Sequence, residues 1–154
     1  MIYGVGADIV EIKRVLRACQ REGFLRRTYT ENEISEAFGD SGIDISLLDL
    51  HPSEAAEKKA AGTKPKGAKA KNAKLKRLAT DFAAKEAVSK ALRTGFRDFG
   101  PADIECLRDE LGAPYIVLHG RAAELSGGLG ISRIHISLSD TGETAAAFVV
   151  AEID

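Results

Sequence analysis

Residues 75–92 read LKRLATDFAAKEAVSKAL. Ala, Leu, Lys and Glu dominate this stretch and neither Gly nor Pro interrupts it, so it predicts a firm helix of about five turns. Leu75, Leu78 and Phe82 fall at helical intervals and mark a stripe for the core. Four residues further along the same row stands Glu86, and four beyond that Lys90. A carboxylate and an ammonium thus prolong the row that the helix uses for packing. Two readings stay open. The pair can be an i,i+4 couple turned into solvent, worth ~0.2–0.5 kcal/mol. Unpaired Glu and Lys seldom lie fully buried, which favours that reading; alternatively the two are a functional pair at the edge of the core.

Upstream of the helix, Ile2 to Val10 is a short apolar run containing Gly4 and Gly6, consistent with a strand approached closely by backbone or ligand. Asp8 breaks the run. Strand propensity disfavours it, so it either caps the next helix or is a carboxylate held on a rigid element as a metal ligand. Ile9, Ile12, Leu16 and Cys19 then recur at helical spacing, with Lys13, Arg14, Arg17 and Arg21 as a basic outer face. Phe24 to Tyr29 reads as a connection. Thr30-Glu31-Asn32-Glu33 has the form of a capping box and predicts a helix from Glu31 to Phe38. Residues 43–57 read as irregular. Lys58 to Arg77 carries nine basic residues and no acid, with Gly62, Pro65 and Gly67 as breakers, so it reads as a basic loop.

Downstream, Thr94 to Pro101 is a Gly-rich turn. Ile104–Arg108 and Tyr115–Leu118 alternate around Asp109–Pro114 as a hairpin. Gly120 to Leu129 predicts a short helix. Ile134 to Leu138 and Ala145 to Glu152, joined by Asp140-Thr141-Gly142, form a second hairpin expected at the centre of the sheet. The order β-α-α-α-β-β-α-β-β favours α+β over a parallel α/β sheet.

Length and composition narrow the class. A chain of 154 residues is one domain by size. Hydrophobic residues at 44% and charged ones at 29% are those of a globular chain. A net charge of −1 argues against a nucleic-acid binder covered in positive charge. No apolar run approaches the ~20 residues that span a bilayer, and MIYGVGADIV lacks the basic start of a signal peptide. Cys19 and Cys106 have no CxxC spacing and read as small buried hydrophobes in a reducing, cytoplasmic compartment.

His51, His119 and His135 are scattered, with no zinc-ligand spacing. There is no nucleophile elbow, P-loop or dinucleotide fingerprint. What remains is Asp8, Glu86, Lys90 and several Arg and Lys. Mg²⁺ takes one or two protein carboxylates and fills its octahedron with waters and substrate phosphates, so this set suits phosphate chemistry.

Four blocks carry a family resemblance: GVGADIVEIKRV, RRTYTENE, RLATDFAAKEAVSKAL, and IECLRDELGAPYIVLHG together with IHISLSDT and AAAFVVAEI. The chain resembles the holo-[acyl-carrier-protein] synthases, the small bacterial class of 4'-phosphopantetheinyl transferase. The likeness covers nearly everything outside residues 39–74. It implies an α+β fold with an antiparallel sheet packed on a long central helix, one copy per chain. The basic insertion at about 51–74 departs from the family pattern, being longer than the usual connection at this point. The resemblance also implies transfer of phosphopantetheine from CoA to a serine of apo acyl carrier protein. By match, Asp8 and Glu86 would hold Mg²⁺ and Lys90 would contact CoA phosphate. Gly112 and Pro114 would lie against the adenine end, and Arg14 would face the acidic carrier. A water on the metal or a ligand carboxylate could accept the serine proton. The larger class has two similar halves with the site between them, so a single-copy chain implies an oligomer, a trimer by resemblance. Many relatives have His where this chain has Asp140, which would repel a phosphate at close range. The rival reading is a nucleic-acid or interaction module using Lys58–Arg77, although no aromatic residue is interleaved there for stacking. A third is a degenerate relative that binds CoA without transfer.

Overall fold

The computed structural model describes residues 1–39 and 68–154, with side chains from Leu75 onward in the second stretch. The irregular reading of 43–57 and most of the expected basic insertion fall in 40–67, outside these residues. Strand β1 (Ile2–Glu11) leads into α1 (Ile12–Cys19), α2 (Phe24–Thr28) and α3 (Glu31–Phe38). The long helix α4 (Ala68–Ala91) comes after them. Next are β2 (Ile104–Arg108), β3 (Pro114–Leu118), α5 (Gly120–Gly128), β4 (Ile131–Asp140) and β5 (Thr144–Ile153).

All strand pairing among the described residues is antiparallel. One sheet has the order β1-β5-β4, and β2-β3 forms a separate hairpin. The expected α+β class is what forms, and β5 is the central strand. Three local expectations need correction. Ile9 belongs to β1, where it points outward at 69% exposure, because the strand runs on to Glu11 before the chain turns helical. Phe24–Thr28 is a helix of its own, anchored by the Tyr29 hydroxyl, which donates to Leu78 O at 2.7 Å. The central helix begins at Ala68 rather than Leu75, so residues 68–74 of the expected insertion are helical.

Helix α4 is the axis of the molecule. Leu78, Ala79, Ala83, Ala84, Ala87, Val88 and Ala91 are wholly buried, as is Leu92 just past its end, and α1, α3, β1, β2 and β5 all pack on it. Small side chains permit this. A Cβ placed on Gly6 would stand 1.9 Å from Ala87 O, and one on Gly4 would stand 2.2 Å from Ala91 O. The two glycines therefore let strand backbone touch helix backbone, the close approach expected at this run. Gly6→Ala should push α4 off the sheet at a cost of about 1–3 kcal/mol. A thermal melt checks it, with each kcal/mol lowering Tm by roughly 2–4 °C in a chain of this size. An unchanged Tm would show that the contact is slack.

Candidate functional site

Side chains alternate along a strand, so Asp8 shares the inward face of Gly4 and Gly6 and points toward α4. Glu86 and Lys90 lie one turn apart on the helix face that meets it. Lys90 Nζ donates to Asp8 Oδ1 at 2.7 Å and to Ala7 O at 3.0 Å. The helical couple of Glu86 with Lys90 is thus replaced by a bridge across to the strand. Burial raises the Glu86 carboxyl above its ordinary pKa, the charge of Asp8 raises it further, and Lys90 offsets part of this. Two carboxylates repel each other here with one ammonium between them.

Asp8 separates two openings. On one side is a cleft of about 740 Å³ lined by Asp8, Glu86, Arg14, Arg21, Phe24 and Phe82. On the other is a hollow of about 470 Å³ lined by Asp8, Lys90, Ser137, Ser139 and Phe148. Phe82, expected in the core stripe, is only partly buried and lies 6.3 Å from the Phe24 ring at the cleft wall. Its position four residues before Glu86 already puts the two on one helix face.

Among the described residues no three His, Cys, Asp or Glu side chains gather as a metal cage. Asp8 and Glu86 nevertheless offer hard oxygen donors that share a single ammonium, Lys90, which already sits on Asp8. That donor set fits Mg²⁺ completed by waters and substrate phosphates.

The other expected site residues are placed differently. Gly112 and Pro114 stand at the tip of the β2–β3 hairpin, where Asp109 Oδ1 accepts from Leu111 N and Ala113 N at 2.9 and 2.8 Å. Gly112 has φ 85°, a conformation that favours glycine. Neither residue lines an opening at Asp8. Asp140, at the end of β4, pairs with Lys76 at 3.2 Å, and Lys76 also donates to Thr141 O. His135 is a strand residue paired to Glu152.

A buried polar cluster behind the site escaped the sequence reading. Lys85 and Glu33 are fully buried and paired at 2.7 Å. Lys85 also donates to the carbonyls of Pro101 and Ile104, and its ammonium lies 5.5 Å from the centre of the Tyr29 ring. Glu33 completes the capping box with Thr30 and accepts from Cys106 N at 2.9 Å. Beside them Asp81 Oδ1 accepts from Arg108 Nη2 at 2.7 Å. Asp81 Oδ2 is buried and has no hydrogen-bond partner among the described residues.

Burial raises the Asp81 pKa to about 6, and the charge and hydrogen bond of Arg108 only partly counter it. A folded-state pKa above the unfolded one means that this carboxyl contributes stability below its unfolded pKa and loses it as pH rises through about 6. Wild-type stability should therefore fall relative to Asp81→Asn between pH 5 and pH 7.5. Urea midpoints at the two pH values check this. A pH-independent difference would show that Asp81 stays charged throughout.

The family model for the 4'-phosphopantetheinyl transferase superfamily matches residues 4–133. A curated holo-[acyl-carrier-protein] synthase from Lachnoclostridium phytofermentans is 36% identical over 153 residues, covering 99% of this chain and 98% of its own. The crystal structure of the Neisseria meningitidis holo-[acyl-carrier-protein] synthase aligns with TM-score 0.69 at 34% identity, covering 99% of both chains. A Bacillus anthracis holo-(acyl-carrier-protein) synthase, solved in complex with CoA (3',5'-ADP), aligns with TM-score 0.63 at 28% identity over 100% of this chain and 99% of its own. Sequence likeness along the whole chain and a shared three-dimensional form lead to one conclusion: the chain belongs to the 4'-phosphopantetheinyl transferase superfamily.

Proposed function

We propose that the protein moves the 4'-phosphopantetheine arm of CoA onto a serine hydroxyl of an apo acyl carrier protein, with Mg²⁺ held by Asp8 and Glu86. The observation that carries this reading is the meeting of Asp8 and Glu86 at a cleft that also holds Arg14 and Arg21, with Lys90 bonded to Asp8 at the adjoining hollow. In the reaction the serine oxygen bonds to the β-phosphorus of CoA. The phosphorus–oxygen bond to adenosine 3',5'-bisphosphate breaks, and the hydroxyl proton leaves. Mg²⁺ would supply charge neutralisation on the diphosphate. Lys90, beside Asp8, would neutralise a further phosphate oxygen. Arg14 and Arg21 give the cleft wall the positive charge that suits an acidic carrier surface. Incubation with apo carrier, CoA and Mg²⁺, read by carrier mass, tests the reading. A carrier gaining one phosphopantetheine supports it, and an unmodified carrier that still binds favours the interaction module or the degenerate relative.

The complete site is proposed to form between copies of the chain, as a homotrimer. Gly112 and Pro114 are offered as adenine contacts, but within one copy they line neither opening at Asp8. The outer face of the β1-β5-β4 sheet meanwhile exposes Val5, Ile9 and Phe148 in one apolar patch beside the smaller hollow. A second copy seated there would cover the patch and bring its own residues to Asp8. Phe148→Glu should give monomers in sedimentation velocity and little transfer per protomer. A fully active monomer would overturn the shared site.

The chain is proposed to act as one transferase domain in the cytoplasm, with the basic stretch as an insertion that attracts an acidic protein rather than nucleic acid. Two free buried cysteines and, among the described residues, no helix long and apolar enough to cross a membrane are in keeping with this.

A further inference from the structure

Lys90 is half exposed, at 48% for its side chain, yet it spends two hydrogen bonds on Asp8 and Ala7 O. Asp8 is the carboxylate that opens onto both the cleft and the hollow. The Lys90 ammonium therefore occupies the oxygen that a metal ion would need. We infer that Lys90 is a tethered cation that covers Asp8 until a metal displaces it, and that its release makes the same ammonium available to a phosphate. The inference rests on the proposed Mg²⁺ site and assigns a regulation to it.

The linkage arises from mutual exclusion. A metal on Asp8 must displace the lysine, so part of its affinity is spent on breaking the existing pair. An anion that binds Lys90 pulls the ammonium off Asp8 and removes that competitor. By reciprocity, metal and phosphate then strengthen each other's binding. The small hollow gives the released side chain somewhere to go, since Lys90 lines it together with Ser137 and Ser139.

Two measurements on the full chain test this. The first is Mn²⁺ binding by electron paramagnetic resonance, without and with CoA. Lys90→Ala should bind Mn²⁺ roughly two- to tenfold more tightly than wild type without CoA, and the tightening caused by CoA should shrink. The second is ¹⁵N NMR of the lysine ammonium, with Lys90 assigned by its absence in Lys90→Arg. The scalar coupling across the hydrogen bond to the Asp8 carboxyl carbon should be present in the free protein and vanish as Mg²⁺ saturates. Loss of Mn²⁺ binding in Asp8→Asn secures the underlying site. If wild type binds no Mn²⁺, or Asp8→Asn binds it as well as wild type, the metal reading itself falls. If Asp8→Asn loses the metal while Lys90→Ala binds it no more tightly, or the coupling persists at saturation, only the covering role falls.

Discussion

Glu86→Gln should lower kcat by ~10²–10⁴-fold, the several kcal/mol that a metal ion contributes to a charged transition state. It should do so without weakening the fold. Burial and the neighbouring Asp8 charge already raise the Glu86 pKa, so its ionised form is a net cost to the folded chain. A neutral amide of the same shape relieves that cost, and the thermal midpoint should hold or rise slightly. Asp8→Asn should show a similar loss of turnover, with Lys90 left without its carboxylate. EDTA added to wild type should reproduce both. Initial rates of carrier modification at low Mg²⁺, alongside melts by circular dichroism, check the pair of expectations. Full turnover in either variant would remove that carboxylate from the reaction.

Lys85→Met should have the opposite profile, a large loss of stability from a residue that touches no proposed substrate. Removing the ammonium leaves Glu33 as a buried carboxylate without its counter-charge, which costs about 3–5 kcal/mol. Against a typical total of ~5–15 kcal/mol, that is enough to unfold much of the population at 37 °C. The double variant Glu33→Gln/Lys85→Met should recover part of it. A glutamine oxygen can still accept from Cys106 N, although its NH₂ cannot replace the oxygen that accepts from Thr30 N, and a methionine brings no charge. Urea titrations of the three proteins decide the matter. A single variant as stable as wild type would mean that water reaches Glu33.

These two effects lie one residue apart, and that spacing explains what the sequence revealed and what it concealed. Glu86 and Lys90 were legible because they interrupt an apolar row at helical spacing. Asp8 was legible because it interrupts a strand, and Gly4 and Gly6 because a strand rarely carries two glycines without a reason. Asp81 and Lys85 interrupt the helix just as plainly, yet a helix read alone is expected to show charges on a solvated face. Only the burial of α4 on this second side turns that face inward, and it depends on α3, β2 and the Pro101–Asp103 turn packing there. One trace was present: between Leu78 and Leu92 alanine stands at 79, 83, 84, 87 and 91, small side chains that let neighbouring elements approach the helix closely. The α2 helix was missed for a simpler reason. Five residues are too few for a periodic signal, and the anchor at Leu78 O is a tertiary contact. The hairpin tip was found, but no spacing rule says where a hairpin points.

The placement of β5 between β1 and β4 has a kinetic consequence. Asp8 is paired with Ala147, so the strand bearing the first carboxylate is fixed by residues from the opposite end of the chain. Closing so long a loop is entropically slow, whereas α4 and the β4–β5 hairpin depend on local contacts. Glu86 and Lys90 can therefore be in place on a formed helix while Asp8 is still searching for its partner strand. Metal capture would then report the last closure of the chain rather than its early collapse. A stopped-flow refolding trace followed by Mn²⁺ binding should lag the helical signal.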